Sequence, residues 1–168
     1  RQLVDLEGGA SVGAGLDLTT IASRLKTASA SSPMRMEHHV RADGLVVIND
    51  AYNANPESMA AALRAVADIG HGRAVAVLGE MLELGDGSEQ AHREIGRLAS
   101  ELGFARVVAV GKGARAIAEG AGPIAELVDD VDVAIGTLSA SLHAEDVVLV
   151  KASRGVRLER VANALLDL

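Results

Sequence analysis

The polar side chains that could do chemistry gather in four short stretches, each placed directly after a run of aliphatic residues. They are 49–55 (NDAYNAN), 79–85 (GEMLELG), 111–113 (GKG) and 151–154 (KASR). A carboxylate such as Asp50 suits a ribose diol, because it accepts two hydrogen bonds. Asn53 and Asn55 offer amides beside it, and Tyr52 offers a flat face with a hydroxyl. Asn55 followed by Pro56 reads equally well as a helix cap, and Asp50 as a turn residue. Glu80 and Glu83 can hold a cation or an amine, or can simply be solvated in a loop ahead of a helix that Ser88 would cap. Lys151, Ser153 and Arg154 can grip a carboxylate or a phosphate, helped by the helix N-terminus that follows. They also read as ordinary surface charge at a strand end. His92, alone on a helix, reads as a packed or exposed residue, and no other histidine stands at metal-ligand spacing from it.

These stretches need a scaffold that brings them to one place. Near-continuous aliphatic runs at 45–48, 74–78, 107–110 and 147–150 predict parallel strands buried on both faces, with a further short strand near 124–128. Helical periodicity predicts helices over 57–69, 88–102, 113–120, 129–141 and 156–167. Alternation over 36–41, then Asp43-Gly44, predicts an antiparallel hairpin entering the sheet. The fold expected is α/β: a Rossmann-like, doubly wound, mostly parallel sheet with an antiparallel edge hairpin, flanked by helices. In such sheets ligands bind beyond the carboxyl ends of the strands, where all four polar stretches fall.

Composition narrows the function. The chain of 168 residues carries a net charge of −7, against the basic surface a nucleic-acid binder needs. Tyr52 and Phe104 are its sole aromatics, too few for base stacking. Without cysteine there is no disulfide, thiol nucleophile or thiolate metal site. No apolar stretch approaches the roughly 20 residues of a membrane span. The reading is a cytoplasmic domain with neither nucleic acid nor membrane as partner. Gly111, Gly113 and Ala116 fit a dinucleotide fingerprint, with Asp129 and Asp130 downstream, but on a late strand. A dehydrogenase-type domain and a non-catalytic regulatory domain therefore remain alternatives. No phosphate loop, nucleophile elbow or zinc-protease motif is present. No residue of this chain is assigned a catalytic role and none a metal.

Arg35-Met36-Glu37, then DAYNANP over 50–56, GEMLELG over 79–85 with His92 downstream, Val110-Gly111-Lys112, and KASR over 151–154 occur in that order. This set closely resembles the C-terminal domain of the Mur ligases, and within them the members that join D-Ala-D-Ala to UDP-MurNAc-tripeptide. The resemblance spans residues 34–168, and residues 1–33 resemble the tail of the family's central ATPase domain and a linker. The D-x-P-R motif of the diaminopimelate-adding members is absent. The resemblance implies an ATP-dependent peptide ligase of peptidoglycan synthesis working through an acyl phosphate. It places the ATP phosphate cradle and Mg²⁺ in the central domain, so this fragment alone is expected to be inactive. It implies nucleotide contacts from Arg35, Asp50, Tyr52, Asn53 and Asn55, and acceptor contacts from Glu80, Met81, Lys151, Ser153 and Arg154. Met34 stands where a Gly often precedes the Arg.

Overall fold

The computed structural model describes residues 33–167. The expected tail of a central domain and linker, up to residue 32, lies outside the described residues. Six strands form one sheet: β1 Glu37–Val40, β2 Val46–Asn49, β3 Ala74–Leu78, β4 Arg106–Val110, β5 Ala125–Val128 and β6 Val147–Lys151. Their spatial order is β1-β2-β6-β3-β4-β5. β1 pairs antiparallel with β2, with Val40 opposite Val46, and every other pairing is parallel. The helices are α1 Pro56–Gly70, α2 Ser88–Glu101, α3 Arg115–Ala121, α4 Val131–Ser139 and α5 Glu159–Leu166.

Every residue of β3 and β6 is buried, which is why both strands, up to the closing Lys151, read as unbroken aliphatic runs rather than alternating ones. α1, α2 and α3 cover one face. Met59, Leu63, Ile95 and Ile117 pack there on Ile48, Ala76, Leu78 and Leu149. α4 and α5 cover the other, with Ala134, Leu138, Val161 and Leu165 on Val47, Val77, Val108 and Val148. The doubly wound α/β arrangement with an antiparallel edge is thus present. Alternate residues of each strand feed the two cores, as the period of two requires.

Local chemistry fixes the ends. The Asn55 side chain accepts from the Ser58 backbone, and the Ser58 hydroxyl accepts from the Asn55 backbone, so a capping box starts α1 with Pro56 in its first turn. α2 departs from expectation: Ser88 does not cap it. A tight turn over Gly85–Gly87 runs straight into the helix and gives Ser88 helical angles, so Gly87 takes the cap position without a side-chain bond. α2 and α3 touch backbone to backbone. A Cβ on Gly96 would lie 1.9 Å from the Ile117 carbonyl, and one on Gly120 would lie 2.0 Å from the Arg93 carbonyl. In the β1–β2 hairpin, Arg41 binds Asp43 through two nitrogens and reaches the Leu165 carbonyl. The Arg41 guanidinium pulls the Asp43 carboxyl down to about 2.

Candidate functional site

The chain leaves β2, β3 and β4 towards one face of the sheet, but leaves β6, which lies between β2 and β3, towards the other. A crevice opens at the carboxyl end of a sheet where neighbouring connections diverge in this way. Three of the four polar stretches meet there.

Asp50 and Lys151, far apart in sequence, are bonded to each other. Lys151 Nζ donates to Asp50 Oδ2 at 2.6 Å and to the Asn53 carbonyl at 2.8 Å. The Lys151 side chain is 2% exposed and that of Asp50 12%. Asp50 Oδ1 accepts from the Met36 backbone at 3.1 Å. The pair fastens the loop after β2 to the end of β6. One residue from each expected ligand set, nucleotide and acceptor, is thus used to hold the other.

Ser153 ties three loops. Its N–H donates to the Glu80 carbonyl at 3.0 Å, and its hydroxyl accepts from the Leu82 N–H at 2.9 Å and reaches the Ala54 carbonyl at 3.4 Å. Met81 is buried in the core between these anchored neighbours. Glu80 is half-buried, and its carboxylate lies across Gly113, where a Cβ would stand 2.2 Å from it. A side chain at 113 would displace that carboxylate from its present position. The same packing argues against a dinucleotide at Gly111 and Gly113, because a pyrophosphate would meet a carboxylate instead of open backbone.

On the solvent side Arg35 stacks over the Tyr52 ring, 4.4 Å from its centroid, and Arg154 approaches the same ring at 5.4 Å. Arg35, Tyr52 and Arg154 are exposed and share one platform. Met34 has φ +59, a left-handed conformation that glycine adopts without strain. A glycine before the arginine is therefore explained by backbone conformation rather than by chemistry. Asn53 and Asn55 are also exposed, but each has its Oδ1 turned to backbone: Asn53 to Ala54, Asn55 to the α1 cap. The two residues join the platform's rim through the loop they share with Tyr52.

His92, which reads from the sequence as a packed or exposed helical residue, is packed and belongs to the site. His92, 1% exposed, accepts the Met81 N–H on Nε2 at 2.8 Å. The available signal was its place on the buried stripe of α2, with Ile95, Gly96 and Ala99. A cleft of ≈360 Å³ beside it is lined by Ser88, Glu89, Lys112, Gly113 and Arg115 among others. Among the described residues no three His, Asp or Glu side chains group closely enough to hold a metal ion. No helix among them is long and apolar enough to cross a membrane.

The Mur ligase, glutamate ligase domain family matches residues 34–154. The chain belongs to this family. It is 43% identical over 186 aligned positions to the UDP-N-acetylmuramoyl-tripeptide–D-alanyl-D-alanine ligase of Mycobacterium bovis, covering 96% of this chain and 35% of that protein. The enzyme of the same name from Bacillus subtilis is 38% identical, with 80% of this chain and 31% of that protein covered. Among solved structures, the MurF ligase of Thermotoga maritima in complex with ADP superposes with a TM-score of 0.73 at 30% identity, over 94% of this chain and 35% of that one. The chain thus spans about a third of the length of the relatives it matches. Membership in the Mur ligase family replaces the dehydrogenase alternative.

Proposed function

We propose that this Mur ligase domain supplies nucleotide and acceptor contacts to a longer cytoplasmic enzyme that joins D-Ala-D-Ala to UDP-MurNAc-tripeptide at the expense of ATP. The observation that carries the reading is the convergence of the 50–55, 79–85 and 151–154 loops on one crevice, cross-linked by Lys151 and Ser153. The names borne by the M. bovis and B. subtilis relatives supply the substrates. The ADP complex of the T. maritima relative supports ATP as the nucleotide. Residues 1–33 are read as the end of a central ATPase domain and a linker, and 34–168 as the closing domain.

In this reaction the γ-phosphoryl group passes to the tripeptide's terminal carboxylate, giving an acyl phosphate and ADP. The D-Ala-D-Ala amine then attacks the acyl carbon, forming the amide, expelling phosphate and losing a proton. Arg35, Asp50, Tyr52, Asn53 and Asn55 form the nucleotide side of the crevice. The Tyr52 face and the Arg35 guanidinium suit a base and a polyanion, while Asp50 keeps spare lone pairs for a ribose hydroxyl beyond its bonds to Lys151 and Met36. Glu80, Met81, Lys151, Ser153 and Arg154 form the acceptor side. There Arg154 suits the dipeptide carboxylate and Glu80 its ammonium, and Met81, Ser153 and Lys151 set the backbone between them. The family resemblance assigns Mg²⁺ to the central ATPase domain, and no step is derived through it.

The test is phosphate release. The full-length protein should release phosphate only with ATP, tripeptide precursor and D-Ala-D-Ala together, and Asp50→Ala should weaken its use of ATP. The 168-residue chain alone should release none. A full-length protein indifferent to D-Ala-D-Ala, or saturable nicotinamide-cofactor binding by this chain, would overturn the reading.

A further inference from the structure

We infer that His92 is a positioning residue: it holds the 79–85 loop, and with it the Glu80 carboxylate, in the one arrangement that can meet an acceptor. The functional half of this inference rests on the proposed acceptor role of that loop; the structural half does not.

The helix itself dictates which ring nitrogen carries the proton. His92 Nδ1 lies 2.6 Å from the Ser88 carbonyl, one turn back on α2. A carbonyl only accepts, so Nδ1 bears the hydrogen and Nε2 presents a lone pair. That lone pair takes the Met81 N–H at 2.8 Å. The imidazole is 1% exposed and Met81 equally buried, so water cannot substitute at the Met81 end. On both sides of Met81 the backbone is held by Ser153, which binds the Glu80 carbonyl and the Leu82 N–H. Three consecutive residues are therefore fixed by side-chain and backbone bonds from two different elements, without any strand or helix bond of their own. Two residues further on, Glu83 sits at φ +65, a conformation a glutamate leaves readily once its neighbours are released.

The consequence falls on Glu80. Its carboxylate lies against Gly113 of the next loop, and its backbone carbonyl is bound to Ser153. A carboxylate that orients a nucleophilic amine loses much of its effect when displaced by about an ångström. Without an acceptor at His92 Nε2 the Met81 N–H would be buried and unsatisfied, and the loop would leave this arrangement to reach water. His92 acts through the loop and touches no substrate.

Two measurements decide the matter. In the ¹⁵N-labelled chain, a through-hydrogen-bond coupling should connect the Met81 amide nitrogen with His92 Nε2, and His92→Phe should speed Met81 amide exchange by about tenfold or more. In the full-length protein, His92→Phe should raise KM for D-Ala-D-Ala by about tenfold and leave KM for ATP within about twofold. His92→Gln, whose Oε1 reaches the place of Nε2, should restore most of the dipeptide KM. His92→Asn, which reaches Ser88 but not Met81, should not. A missing coupling with unchanged exchange overturns the positioning, as does a variant set that alters both KM values equally. Should the full-length protein transfer no D-Ala-D-Ala at all, the proposed function falls, and the coupling and exchange still decide the arrangement of the loop.

Discussion

Replacing Lys151 by methionine keeps most of the apolar stem of the side chain and removes its charge. In the native structure the ammonium is 2% exposed and bonds to Asp50 Oδ2 and the Asn53 carbonyl. The variant leaves a nearly buried carboxylate facing an apolar thioether, with a carbonyl that has lost its donor. Breaking a buried pair from one side costs about 3–5 kcal/mol, because the surviving charge keeps its desolvation penalty without its partner. At about 2–4 °C per kcal/mol for a domain near this size, the melting temperature should fall by about 6–20 °C. Urea unfolding of the chain measures the loss directly. The double variant Asp50→Asn with Lys151→Met removes both charges, so it should lose less than the two single losses added, by about 2 kcal/mol. If Lys151 were held free for a substrate carboxylate, Lys151→Met would leave unfolding almost untouched. A loss below about 1 kcal/mol, with an additive double variant, would refute the assignment of this pair as a fastener.

Asn55→Ala removes the α1 cap and should cost about 1 kcal/mol in urea unfolding, whereas Asn55→Asp keeps a capping oxygen and should cost little. Gly96→Ala drives a methyl into the Ile117 carbonyl 1.9 Å away and should destabilise by about 1–3 kcal/mol, measured in the same assay. The pH dependence of stability should carry a signature of Asp43. Its carboxyl, held at about 2 by Arg41, has a folded value below the unfolded one. Its contribution is therefore complete above the unfolded carboxylate value near 4 and disappears as pH falls through about 2. Unfolding midpoints of the native chain and Asp43→Asn should differ at pH 5 and converge towards pH 2.

Much of this architecture is legible in the residues because it rests on local physics. Strands buried on both faces must be aliphatic throughout, and β3 and β6 are, apart from the closing Lys151. Asn55-Pro56 announces a helix start because cap and ring geometry act within one turn. The strand order is not local. Nothing in the run 147–150 says that it enters between β2 and β3, since that depends on where α4 returns the chain. For the same reason Lys151 reads as surface charge: its burial is created by Asp50, 101 positions away. Ser88 looked like a cap because Ser commonly is one, but the preceding tight turn had already supplied the helical approach. His92 stands alone on its helix with no metal-ligand partner, and only its stripe with Ile95, Gly96 and Ala99 marks it as inward-facing.

The residues expected to meet two different ligands form one connected structure. Asp50 of the nucleotide set is bonded to Lys151 of the acceptor set, and Arg35 and Arg154 share the Tyr52 ring. These links differ in what they can transmit. The Asp50–Lys151 pair is buried and fastens two loops to each other. The platform is exposed, and each arginine can leave the ring. A cation–π contact at an exposed site contributes about 0.5–1 kcal/mol, which bounds any coupling of nucleotide and acceptor affinities through Tyr52 at about fivefold. Synergy larger than that would have to arise from contacts outside this platform.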